Sequence, residues 1–253
     1  MADIEVERRG TAVWITINRP DRRNAYDLAM ARAMTTAVQD ASSAEAVVLT
    51  GSGGAFCAGG ALTQLDDPDP EQLRELFTSS LRLTDAMRLC PRPVIAAVDG
   101  AAAGGGNELV AACDFAIATE RSTFGQTGPK VGSAPVLGAT NLLPVQIGEK
   151  RAKEMAMMCR RYSAAQALAM GLINEVVPDD GLVAGVERWL AEIHRLSPRY
   201  LEITKISSNI WWNHAKDNMT AGLGMLIQAI GSEDMREGAN AFLEKRRPNF
   251  RGD

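Results

Sequence analysis

The stretch AAAGGGNELVAACD, Ala101 to Asp114, sets three consecutive glycines before an Asn-Glu pair and then returns to small apolar residues. A buried-strand run, VIAAV (Val94 to Val98), precedes it, Asp99-Gly100 makes a turn, and GGGNELVAAC can open a helix. The glycines therefore fall where a strand passes into a helix. The first N–H groups of a helix have no internal acceptor and sit at the positive end of its dipole, so they can hold an oxygen that is gaining negative charge. Glycine lets a ligand approach that backbone closely. AFCAGGAL, Ala55 to Leu62, repeats the device after a second strand, AVVLTG (Ala46 to Gly51). Two amides from separate junctions can then converge on one oxygen. Read singly, each glycine cluster also fits a tight turn or close helix packing, and Glu108 fits a first-turn carboxylate that complements the helix dipole.

Composition narrows the remaining chemistry. The chain has 253 residues, a net charge of -4 and 46% hydrophobic residues, which suits a large core with an appendage. Acidic and basic residues are mixed without a long basic stripe, which argues against nucleic acid or an anionic membrane as partner. No run approaches the ~18 apolar residues of a membrane-spanning helix. The four cysteines, Cys57, Cys90, Cys113 and Cys159, are scattered without a C-x-x-C pair, and MADIEVERRG is too charged for a signal peptide. A reducing cytoplasm is the expected compartment. His194 and His214 have no metal-ligand spacing, so no metal is expected. A phosphate-loop motif, a complete G-x-G-x-x-G after a strand and a G-x-S-x-G elbow are all absent from the sequence.

Strand-like runs occur at Ile4 to Arg8, Val13 to Asn18, Ala46 to Gly51, Val94 to Val98, Phe115 to Thr119 and Ile173 to Pro178. Helical spacing fills Tyr26 to Ala44, Glu71 to Leu89, Lys150 to Cys159, Ser163 to Met170 and Leu182 to Leu196, and Ser163 with Gln166 reads as a capping box. The alternation predicts an α/β fold of βα units. After Pro198 only helices are expected, over Tyr200 to Asn213, Met219 to Ala229 and Asp234 to Lys245, so residues 1–197 form the core and residues 198–253 a helical region. Trp211, Trp212, Met155, Met157 and Met158 read as core or subunit packing, Cys57 and Cys113 as small buried residues.

The segments NRPDRRNA (Asn18 to Ala25), GGAFCAGGAL, RPVIAAVDGAAAGGGNELVAACD, STFGQTGPKVG (Ser122 to Gly132), SAAQALAMGLINEVVP (Ser163 to Pro178) and REGANAFLEKRRPNF (Arg236 to Phe250) resemble, in order, the crotonase or enoyl-CoA hydratase/isomerase superfamily. The resemblance implies a crotonase-like spiral of ββα turns that carries a CoA thioester, with C-terminal helices completing a homotrimer or a homohexamer. By their place in the motifs, the amides of Gly60 and Gly105 would hold the thioester oxygen, with Ala58, Gly104, Gln126 and Thr127 beside the substrate. Glu108 matches the first of two glutamates that hold a water in the hydratases. The implied activity is hydration of a 2-enoyl-CoA, with the thioester as substrate and no separate cofactor.

At the second glutamate the sequence departs from the hydratase pattern. Hydratases read FGQPE, whereas Phe124-Gly125-Gln126-Thr127-Gly128 places glycine where the acid belongs. FGQTGPKVGS and CRRYSAAQALAMGL are similar to the branch of dihydroxynaphthoyl-CoA synthase and ketocyclohexanecarboxyl-CoA hydrolase, in which bicarbonate can take the place of the acid. That branch lacks a glutamate at position 108 and carries an aspartate where Pro135 stands. Gly128 is thus expected to leave room for water, bicarbonate or a ring substituent. Hydrolysis of a cyclic β-keto acyl-CoA and plain acyl-CoA binding are the alternative activities. The diphosphate and 3′-phosphate of CoA call for cations, offered by Arg19, Arg22 and Arg23 and by Lys245, Arg246 and Arg247, with Phe242 and Phe250 for the adenine. The acyl group would be shaped by Leu62 to Phe77 and Gly132 to Leu143.

Overall fold

The computed structural model describes residues 2–61 and 69–252, without the side chains of residues 210, 211 and 213–218. Two sheets share the chain. The larger runs β1 (Ile4–Arg9), β2 (Ala12–Ile17), β3 (Ala46–Gly51), β4 (Val94–Val98), β6 (Phe115–Thr119) and β9 (Glu175–Val177), with only β1 antiparallel to its neighbour. The smaller holds β5 (Ala101–Ala103), β7 (Thr123–Gly125) and β8 (Arg161–Ser163). The chain passes from β4 to β5 and from β6 to β7, so each turn places one strand in each sheet. Successive turns stack as parallel neighbours, and the result is a spiral.

Burial follows the pleat. All five residues of β4 are buried, as a parallel strand covered on both faces requires. Ile95 and Ala97 pack with Trp14, Val48 and Ile117 under α7 (Leu182–His194), through its Val186 and Ile193. Val94, Ala96 and Val98 face the opposite way, towards α1 (Leu28–Asp40) and α3 (Gly105–Ala112). Helix α1 starts on Asp27, which accepts from the Met30 amide at 3.0 Å, and buries Met30, Met34 and Val38 on one stripe. Helix α2 (Pro70–Leu89) starts on Asp69 with proline in its first turn.

Three differences from the sequence reading have physical causes. Strands β5, β7 and β8 are three residues each, too short to show a period of two. Helix α4 (Ala139–Ile147) carries Pro144 inside it, a residue that argues against a helix. In the C-terminal region the break falls at Asn209, between α8 (Pro198–Ser208) and α9 (Ile210–Gln228), instead of between Asn213 and Met219. The capping box of Ser163 and Gln166 forms as expected at α6 (Ala164–Ala169), which follows α5 (Glu149–Met158) and β8. Met155 is in the core, but Met157 and Met158 are exposed at the end of α5. Leu62 to Pro68, part of the expected acyl-shaping segment, lie outside the described residues, as do the side chains of Trp211 and His214. His194 is exposed and pairs with Glu45.

The C-terminal helices are fastened by buried polar groups. Lys205 on α8 puts its ammonium 2.6 Å from Asp114 and 2.9 Å from the carbonyls of Met87 and Arg92. Asn209 bonds Arg88 through both its backbone-directed amide and its side-chain oxygen. Helix α10 (Glu233–Leu243) closes on the core at Gly238, where a Cβ would come within 2.4 Å of the Gly132 nitrogen. Removing one partner from a buried ion pair strands the other charge. Lys205→Met should therefore lower unfolding free energy by about 3 kcal/mol in a denaturant titration; a loss under about 1 kcal/mol would mean that Asp114 does not depend on it.

Candidate active site

Asn24 sets the first wall. Its side chain donates to the carbonyls of Ser52 (2.8 Å) and Ala55 (2.6 Å), and its oxygen accepts from the Arg19 amide (2.9 Å). With the chain held there, Tyr26 pairs with Gly60: the Tyr26 amide donates to the Gly59 carbonyl at 2.9 Å, and the Ala61 amide donates to the Tyr26 carbonyl at 2.9 Å. In a parallel pairing the residue between those two turns its own N–H the other way. Gly60 therefore presents its amide away from Tyr26, at an exposed position.

The second wall is the start of α3. Cys57 pairs with Ala102 of β5, which brings residues 57–60 alongside the strand that leads into this helix. The approach is closer than side chains allow: a Cβ on Gly106 would lie 2.1 Å from the Cys57 carbonyl oxygen, and one on Gly59 would lie 2.9 Å from the Gly105 nitrogen. Gly104 turns the chain with φ +53°. Gly105 then begins the helix, so its amide lacks a helical acceptor. Among the described residues, neither the Gly60 nor the Gly105 N–H donates to a protein group.

Glu108 lies one turn into α3 and is buried. Its Oε1 accepts from the Leu137 amide at 2.8 Å and from the Ala139 amide at 3.2 Å. Burial is the stronger influence and pushes the carboxyl up to about 7, against the pull of the two amides. Desolvation thus outweighs the two amide donors. Cys57 is fully buried, and burial pushes its thiol up to about 12, so it stays protonated. Gln126 is buried with neither amide atom bonded, and Thr127 lies against Gly104.

A Cβ on Gly128 would meet the Ser133 carbonyl oxygen at 2.9 Å and Ala134 and Pro135 at 3.1 Å, so the direction a side chain at position 128 would take is closed by the chain itself. The basic clusters are not wholly available for phosphate: Arg19 pairs with Asp3 and Asp27, and Arg246 with Glu237 and Glu244. Arg22, Arg23, Lys245 and Phe242 are exposed. Ala58, Gly104, Gly105 and Gly60 gather at one junction, whereas Lys245 and Phe242 belong to the end of α10. No local motif marks the Leu137 and Ala139 amides, or Tyr26, whose hydroxyl ends 2.7 Å from where a Gly105 Cβ would stand. Among the described residues no cluster of possible metal ligands occurs, and no helix is long and apolar enough to cross a membrane.

A spiral of ββα turns with two outward amides and one desolvated carboxyl at a single junction defines a class of α/β protein, and comparison with known proteins identifies it. A sequence profile for enoyl-CoA hydratase/isomerase matches residues 7–253. An enoyl-CoA hydratase from Mycobacterium avium subsp. paratuberculosis K-10 is similar in structure, with a TM-score of 0.88, 29% identity, and coverage of 95% of this chain and 99% of that one. A carnitinyl-CoA hydratase from Mycobacterium avium has a TM-score of 0.87 and 32% identity over 99% of both chains. An enoyl-CoA hydratase from Bacillus anthracis has a TM-score of 0.80 and 32% identity over 100% of both. The chain belongs to the enoyl-CoA hydratase/isomerase family of the crotonase superfamily and is an acyl-CoA enzyme of that family.

The raised Glu108 makes stability depend on pH. Its proton is held to about 7 in the folded protein, against an ordinary value of 4.5, so the folded state binds the extra proton between those limits. Stability should fall as pH rises from 4.5 through 7, by roughly 3 kcal/mol in total relative to Glu108→Gln. Denaturant midpoints of the two proteins across that range test it, and parallel curves would refute the shift.

Proposed function

We propose that the protein hydrates a 2-enoyl-CoA. The observation that carries the reading is a buried carboxyl with a proton affinity near neutrality, fixed through one oxygen, one turn from an amide that has no acceptor among the described residues. The thioester oxygen is held by the amides of Gly60 and Gly105. Ionised Glu108 takes a proton from water as the water oxygen bonds to the β carbon, and the double-bond electrons move onto the thioester oxygen. Glu108 then returns that proton to the α carbon as the enolate collapses. One carboxyl thus serves as base and then acid, and atoms and charge balance without a second acid or a bound anion. Losing one such amide donor typically raises the barrier by ~3 kcal/mol.

Arg22, Arg23 and Lys245 are assigned to the CoA phosphates and Phe242 to the adenine, while Ala58, Gly104, Gln126 and Thr127 are assigned to the substrate. The exposed apolar side chains of Tyr200, Ile203 and Ile206 on α8 support assembly into a homotrimer or a dimer of trimers.

The test is loss of the conjugated enoyl-thioester absorbance of crotonyl-CoA. Wild type should consume it, with kcat/KM falling about tenfold per pH unit below about 7, where Glu108 is protonated. Glu108→Gln should lose about a thousandfold in kcat while still binding the thioester. Equal rates would remove Glu108 from the mechanism, and turnover of cyclic β-keto thioesters alone would replace hydration by C–C hydrolysis. Because a Cβ at position 128 would meet Ser133, Ala134 and Pro135, Gly128→Glu should lower the thermal midpoint and leave turnover no higher than wild type; a faster enzyme would show that the second acid fits after all.

A further inference from the structure

We propose that the Tyr26 hydroxyl is a third hydrogen-bond donor to the thioester oxygen, beside the amides of Gly60 and Gly105. The inference rests on the reading that those amides hold that oxygen. Tyr26 belongs to both walls of the junction. Its backbone pairs with the Gly60 strand through two bonds of 2.9 Å, and its hydroxyl reaches across to the first residue of α3. The contact is close: a Cβ on Gly105 would lie 2.7 Å from the hydroxyl oxygen and 3.3 Å from the ring. The oxygen therefore stands beside the Cα of the residue whose N–H opens the helix.

The hydroxyl is suited to donate and unsuited to ionise. Burial pushes its pKa well above the ordinary phenol value, and the Glu108 carboxylate adds to the rise. Ser80 on α2 is its hydrogen-bonding neighbour. The Ser80 hydroxyl spends its single proton on the Leu76 carbonyl at 2.8 Å, so between Ser80 and Tyr26 the tyrosine has the proton to give. When negative charge builds on the thioester oxygen, a charged acceptor replaces a neutral one, and such bonds are about twice as strong. The proton stays on Tyr26 throughout.

The measurement is the fraction of bound acetoacetyl-CoA present as its enolate, read from the ultraviolet absorbance of the delocalised anion, alongside crotonyl-CoA kinetics. Wild type should raise the enolate fraction above that in water. Tyr26→Phe should cut the enolate equilibrium at least tenfold and kcat about a hundredfold, with KM within about threefold. Site-specific Tyr26→3-fluorotyrosine, a stronger donor of nearly equal size, should deepen the enolate absorbance and decides the matter if Tyr26→Phe does not fold. An unchanged enolate fraction in the variants, with wild type positive, overturns the role of Tyr26 alone. A wild type that binds acetoacetyl-CoA without enolate absorbance instead overturns the amide site on which the inference depends.

Discussion

Everything in the site depends on how closely residues 57–60 approach the start of α3. The carbonyl of Cys57 occupies space that any side chain at position 106 would need, and Gly59 faces the Gly105 nitrogen at a distance no Cβ tolerates. Bonds of 3.1 Å from Cys57 to Ala101 and 2.9 Å from Ala103 to Cys57 hold this approach in register. The glycines are thus needed twice: once to let two segments of backbone meet, and once to leave the resulting amides open to a ligand. A spiral supplies this meeting naturally. Each turn crosses from the larger sheet to the smaller, so the loop after one strand lies beside the strand after the next.

The same approach sets the electrostatics of Glu108. Its position one turn into a short helix would favour the charged form, and two amides on one oxygen add to that. The carboxyl is nevertheless buried, and the loss of water outweighs both donors. A carboxyl poised near neutrality results from this imbalance, because a fully solvated glutamate stays ionised and a wholly unbonded one would be pushed higher still. Proton transfer in both directions needs a group between those limits.

What could be read from the sequence was whatever repeats locally. The parallel strands showed themselves as apolar runs, α1 and α2 by spacing, and the glycine junctions by their composition. Glu108 could be named because it follows its glycines by only a few positions. Tyr26 could not, since its contact with Gly105 links residues 79 positions apart and nothing near Asn24-Ala25-Tyr26-Asp27 marks it as more than a helix entry. The β5, β7 and β8 strands were hidden for a related reason: three residues gain strand character only from their partners. Whether Arg19 and Arg246 were open to phosphate was equally unreadable, because Asp3, Asp27 and Glu237 reach them only after folding.

The departure at Gly128 becomes coherent when the loop after it is followed. Ser133, Ala134 and Pro135 close over the glycine, filling the direction an acid side chain would take. Within the next four residues the same loop turns its Leu137 and Ala139 amides onto Glu108. A side chain at position 128 would press on the segment that fastens Glu108, so one backbone path both closes the space in front of Gly128 and tethers the carboxyl. Position 128 and Glu108 are thus linked through residues 133–139.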